Sequence, residues 1–152
     1  MSDVPLMQYH TSGDGEVLVL SPGGLTGWLS WIPHTEVLSN LRKVIRVQLH
    51  NVALGLEDMP LPSDYSVDYE ITSFSKILDF LNIERADIAA WSYGGEVALS
   101  YAIHNPDRVR TLTLIEPPAF WVIRSRGPLS DEMLGEKKIN QSYAVDNVSE
   151  DQ

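Results

Sequence analysis

The residues best suited to chemistry lie in the run Ile88-Ala89-Ala90-Trp91-Ser92-Tyr93-Gly94-Gly95. An apolar stretch stops at a serine flanked by small residues, and a helical pattern begins at once. A serine so placed sits at the apex of a sharp strand-to-helix turn. Its hydroxyl is lifted above the sheet edge, where a base can take its proton and make it a nucleophile. Ala90 and Gly94, two positions either side, keep bulky substituents out of the fold-back, and Gly95 lets the new helix approach the strand. The pattern is small-x-Ser-x-Gly, with Ala at its first small position.

Such a serine works only if the surrounding elements bring other groups to the same edge. Glu16 to Leu20 is a short β-branched run bounded by glycines and reads as a buried strand, with Met7 to Thr11 as its hairpin partner across Gly13-Asp14-Gly15. A loop Ser21-Pro22-Gly23-Gly24-Leu25 leads into one amphipathic helix from Trp28 to Leu41, and Val44 to Leu49 is the next strand. A long Pro- and Asp-rich loop runs from His50 to about Ser66. Val67, Ile71, Phe74, Ile77, Leu78 and Leu81 recur at helical steps, so Val67 to Leu81 is the clearest helix. Asp87 to Trp91 is the third strand, Tyr93 to His104 the helix after it, ended by Asn105-Pro106, and Val109 to Ile115 the fourth strand.

Strands alternating with helices predict right-handed crossovers in a parallel sheet, an α/β fold of three layers with helices on both faces. Ligands of such sheets lie beyond the carboxyl ends of the strands. Ser21, His50, Ser92 and Glu116 all stand at strand exits on that edge.

Composition bounds the partners. The chain has 152 residues, 43% of them hydrophobic, enough for one domain with a core. A formal net charge of -10 repels nucleic-acid phosphates and anionic membrane surfaces. No apolar run approaches the roughly 18 residues that span a bilayer. There is no cysteine, hence no disulfide and no thiolate metal site. The four scattered histidines form no metal-ligand set, so no metal is expected, and no Gly-x-Gly-x-x-Gly follows a strand, so no dinucleotide cofactor is expected either. A cytoplasmic location is the expectation, since Met1 to Pro5 lacks a secretory leader's basic and apolar segments.

With the elbow Ala90-Trp91-Ser92-Tyr93-Gly94-Gly95, the Ser-Pro-Gly-Gly loop after the first strong strand and Leu114-Ile115-Glu116-Pro117-Pro118 after the last, residues 7 to 120 resemble the α/β-hydrolase superfamily. The match is to a divergent branch: Ser21-Pro22 or Pro22-Gly23 stands where relatives usually carry His-Gly, and Gln48-Leu49-His50-Asn51-Val52 where they often carry Asp-x-Arg-Gly-x-Gly. The resemblance implies hydrolysis of an ester or related acyl bond of a small molecule through a covalent intermediate on Ser92. It also implies an oxyanion hole made by the N–H of Tyr93 and one N–H of the first loop, Gly24 in the first instance and Gly23 after a one-residue shift. Serine at the elbow points away from the relatives with aspartate there, which resemble dehalogenases and epoxide hydrolases. Trp28, Trp31 and Trp91 line up with the pocket edge; Trp31 reads as core, whereas Trp91 either walls an acyl pocket or packs.

The superfamily's catalytic histidine lies well downstream of the elbow, and this chain has none beyond His104. His104 sits at the far end of the helix after the elbow; His10 and His34 belong to the hairpin and a helix entrance. His50 is at the correct edge and reads as an ordinary loop residue in preference to a substitute base. Glu116 is either a triad acid taken from this strand's end or a plain strand-end carboxylate, the second being preferred because no histidine is there for it to orient. Glu96 reads as a charge near a positive helix end.

Trp121 to Gln152 is polar, the start of a cap or lid segment or else a polar tail, and Ser149-Glu150-Asp151-Gln152 has the form of a helix capping box. The expectation is therefore a partial copy of a hydrolase about twice as long, by the usual size of such domains, incomplete at its C-terminus and inactive by itself. An unpaired sheet edge would then favour self-association. The alternative is a non-catalytic hydrolase-fold protein that binds a small molecule or a protein partner.

Overall fold

The computed structural model describes residues 4–118; the segment from 121 and its capping box lie outside them. Five strands form one sheet: β1 (Tyr9–Ser12), β2 (Val17–Ser21), β3 (Lys43–Val47), β4 (Ala86–Trp91) and β5 (Val109–Ile115), in the order β1-β3-β2-β4-β5. The last four are parallel and β1 is antiparallel to β3. The α/β class and the mostly parallel sheet are as expected from the sequence.

Four helices connect them: α1 (Ile32–Leu38), α2 (His50–Leu56), α3 (Val67–Phe80) and α4 (Tyr93–His104). On one face of the sheet, Phe74, Ile77 and Leu78 of α3 and Val97, Ala98 and Tyr101 of α4 pack on Val19, Ile45, Val47, Ile88 and Ala90. On the other, Trp31 and Leu38 pack on Leu18, Leu20 and Val44, with Ala89 and Trp91 against them. Alternate residues of β4 thus serve opposite cores, as the two-residue period of a strand requires. Ser66 caps α3 by accepting the Tyr69 N–H, and Asp68 and Glu70 fill its first turn.

Three expectations need correction. Met7 to Thr11 forms no hairpin with the neighbouring strand. β2 already has β3 and β4 on its two sides, so β1 reaches the open side of β3 instead. Gly13, at φ +74°, lets the turn press against the carbonyls of Ser39 and Arg42, where any side chain would collide. The helix from Trp28 to Leu41 is broken into a 3₁₀ turn, Trp28–Trp31, and α1, because Pro33 is tolerated only in a helix's first turn. The loop from His50 contains α2, whose short apolar stretch lacks the length to declare itself as helical.

At the amino ends of the strands, Asp87 is held by Arg42, Arg110 and Thr111, and Glu16 pairs with both arginines. At the carboxyl ends lie the loops that carry the candidate site. Among the described residues no helix is long and apolar enough to cross a membrane.

Candidate active site

β4 runs straight into α4, and the whole reversal falls on Ser92, with φ 51° and ψ -126°. Few non-glycine residues adopt this backbone, which costs on the order of 1–3 kcal/mol and persists only where the surroundings impose it. The Ser92 N–H donates to the Ile115 carbonyl of β5 at 2.9 Å, and its own carbonyl accepts the N–H of Gly95 at 2.8 Å. Its side chain makes no capping bond to α4 although it stands at the N-cap position. The hydroxyl is therefore left over from the helix's own needs.

The first loop closes on this turn. A side chain on Gly94 would strike the Pro22 carbonyl and Ser21 Oγ; one on Gly23 would meet Ser92 Cβ at 3.4 Å, and one on Gly24 would meet Tyr93 Cβ at 3.2 Å. Gly94 is thus small because two backbones pass each other here, and Gly24 because the Asn51 and Tyr93 side chains close on it, whereas Gly23 makes only ordinary contacts. The loop's far end is fixed from β3's exit: Gln48 Oε1 accepts the Trp28 N–H at 2.8 Å, and Arg46 lies over the Trp28 ring. Tyr93 opens α4, so its N–H has no acceptor within the helix.

Gly24, Leu25, Asn51, Leu61, Tyr65, Ser92 and Tyr93 line an open hollow of about 430 Å³. Its floor is a hydrogen-bonded chain. Glu70, fully buried, accepts from Tyr65 Oη at 2.8 Å and from the Asn51 N–H at 3.3 Å, both on Oε1. Tyr65 Oη lies 3.1 Å from Tyr93 Oη, and Asn51 Nδ2 donates to the Gly24 carbonyl at 3.0 Å. Burial, with the neighbouring hydroxyl and the Glu70 charge adding to it, pushes the Tyr65 phenol far above its usual range. Burial also raises Tyr93. Both hydroxyls keep their protons at neutral pH.

Ser92, Tyr93 and Gly24 thus come together at one hollow, with Gly23 directly against Ser92. Trp91 faces the other side of β4 and, with Ser30, Trp31, His34 and Ile115, lines a separate hollow of about 220 Å³. Trp31 is buried, in line with a core role. Glu116, at φ 46°, is exposed just past Ile115, whose carbonyl anchors Ser92.

His50 is not an ordinary loop residue. It opens α2, is buried, bonds Ser73 Oγ through Nε2 at 2.8 Å, and meets the Tyr69 ring edge-on. Burial, partly offset by the Glu70 charge, holds its pKa below the ordinary value. Ser73 in turn donates to the Pro5 carbonyl and accepts the Met7 N–H, so the imidazole braces the N-terminal segment. His104 contacts the Ser100 carbonyl, His10 contacts Ser12, and His34 packs on Trp31. None of the four is hydrogen-bonded to Ser92. Among the described residues no cluster of His, Asp and Glu could hold a metal.

Asn51, Tyr65 and Glu70 were not marked by any motif. One signal did exist: Glu70 falls on the apolar stripe of α3, three residues after Val67 and four before Phe74, where a charge needs partners.

A model of the alpha/beta hydrolase fold family matches residues 16–148. The chain is 35% identical over 109 residues to a 2-hydroxymuconate semialdehyde hydrolase of Pseudomonas sp. (strain CF600), covering 70% of this chain and 38% of that protein. A meta-cleavage product hydrolase from Pseudomonas fluorescens IP01 matches in structure with a TM-score of 0.59 and 25% identity over 70% of this chain and 39% of that one. An epoxide hydrolase of Bacillus megaterium, at 16% identity and TM-score 0.64 over 74% of this chain and 39% of that one, shares the fold alone. The chain spans less than two fifths of the length of these relatives.

Proposed function

The chain belongs to the alpha/beta hydrolase fold family, and on that premise we propose that it carries the nucleophile half of a serine hydrolase acting on an ester or related acyl bond of a small molecule. One observation carries the reading. Ser92 sits in a strained left-handed backbone, spends no hydroxyl bond on capping α4, and opens onto a hollow. Ser92 Oγ attacks the acyl carbonyl and gives up its proton to a base. The tetrahedral oxyanion is held by the Tyr93 N–H and by Gly24 or Gly23, and the leaving group departs to give an acyl-serine that water then cleaves. Two such donors matter because losing one costs on the order of a hundredfold in rate.

The histidines favour a second reading, a hydrolase fold used for binding. His50 is committed to Ser73, and none of the others is hydrogen-bonded to Ser92. A fluorophosphonate probe separates the two. The hydrolase reading expects a covalent adduct by mass spectrometry, lost in Ser92→Ala and formed faster when imidazole is supplied as a base. An adduct that survives Ser92→Ala, or no adduct even with imidazole, sinks it.

A further inference from the structure

Taking the hollow beside Ser92 as the substrate site proposed above, the geometry points to a ligand that brings a hydrogen-bond donor, an amide or amine N–H or a hydroxyl, to the Tyr93 phenol oxygen. Glu70 sets the polarity of the chain of hydrogen bonds. Its Oε1 receives the Asn51 N–H, a group that can only donate, so this oxygen is fixed as an acceptor. Tyr65, 2.8 Å from the same oxygen, must therefore point its one hydroxyl proton at Glu70. Tyr65 then has only lone pairs to offer Tyr93, 3.1 Å away, and Tyr93 must spend its own proton on Tyr65. The buried carboxylate thus sets the direction of both protons. The outer end of the chain, Tyr93 Oη, is an acceptor, and among the described residues nothing donates to it.

The surroundings reinforce that sign. Asn51 donates through Nδ2 to the Gly24 carbonyl, which turns its Oδ1 the other way; that oxygen is buried with no partner among the described residues. Glu70 Oε2 is a second buried oxygen of the same kind. Among the described residues no lysine or arginine lines the hollow. Behind the Tyr93 phenol, the buried atoms without a partner among the described residues, Asn51 Oδ1 and Glu70 Oε2, are both acceptors. This end of the hollow therefore attracts a donor and repels a carboxylate, while the N–H groups proposed to hold the oxyanion lie at its other end, beside Ser92.

Three matched probes test this on the whole chain by NMR titration: N-methylbenzamide, methyl benzoate, which replaces the N–H by oxygen in nearly the same shape, and benzoate. The amide is expected to bind roughly three- to tenfold more tightly than the ester, the net worth of one hydrogen bond, and benzoate the most weakly. Tyr93→Phe removes a single oxygen and should erase the amide preference; an unchanged thermal melt confirms that its fold is kept. Ser92→Ala should retain the preference, since the phenol and not the serine sets it. Equal or tighter binding of the ester, tighter binding of benzoate, binding of none of the three, or a preference that survives Tyr93→Phe overturns the inference. A preference that persists where the fluorophosphonate adduct fails leaves donor recognition standing without the hydrolase reading.

Discussion

The Pro22 carbonyl occupies the space that a side chain on Gly94 would need. The first loop and the helix after the elbow therefore meet backbone to backbone, and neither can move without the other. Gly94→Ala should push the loop away and cost about 1–3 kcal/mol, the usual penalty of overpacking, measured as a lower urea midpoint. Gly95→Ala comes no closer than 3.1 Å to any neighbour, Pro117 Cβ being the nearest, and should cost less. Equal midpoints for Gly94→Ala and the parent would refute the close approach.

Ser92 carries backbone strain that glycine would not. Ser92→Gly is expected to raise stability by about 1 kcal/mol in chemical denaturation, although glycine normally costs that much inside an element. Ser92→Ala keeps the Cβ and should leave the midpoint nearly unchanged. A destabilised glycine variant would show that the turn is relaxed.

His50 gives a pH signature. Burial lowers its folded-state pKa beneath the ordinary 6.5. Between these two values the unfolded chain binds more protons, so stability falls with acid. The contribution is complete above about pH 6.5 and is lost as pH falls from there through the folded-state value. Denaturation midpoints measured across that interval should slope downward with acid in the parent and less steeply in His50→Gln. Parallel slopes would remove the imidazole from the account.

Asp87 gives a second, more acidic one. Hydrogen bonds from Arg110, opposed by burial and helped by Thr111 and Arg42, hold its carboxyl well below the usual carboxylate range. Its stabilisation is present above the unfolded value of about 4 and is lost as pH falls through the folded one. Asp87→Ala is expected to cost about 2 kcal/mol, toward the low side for a buried pair because Arg42 and Arg110 keep contact with water. An unaltered urea midpoint would mean that the cluster is ornamental.

The sequence made the parallel sheet legible because apolar runs of five or six residues alternate with one long amphipathic stripe, and it made Ser92 legible because small residues crowd both of its sides. What it hid has a common cause. The partner of β1 depends on which strand side is left open, a property of the assembled sheet. The short helix α2 and the role of His50 depend on Ser73, 23 residues away. Glu70, Tyr65 and Asn51 act together only after α3 is laid against the start of α2. Local periodicity does not encode contacts of that kind, although a glutamate on an apolar stripe announces that one exists.

The two ends of the sheet are secured by different forces. Charges bind the rear, where Asp87 gathers two arginines; at the front, a peptide hydrogen bond from Ser92 to Ile115 ties the elbow to β5. Five residue steps of extended strand separate Asp87 from Ser92, about 16 Å at the usual rise, twice the screening distance of about 8 Å in physiological salt. Ionic strength therefore tunes how firmly the domain holds together while leaving the attitude of the serine alone, and durability and reactivity can drift separately under selection.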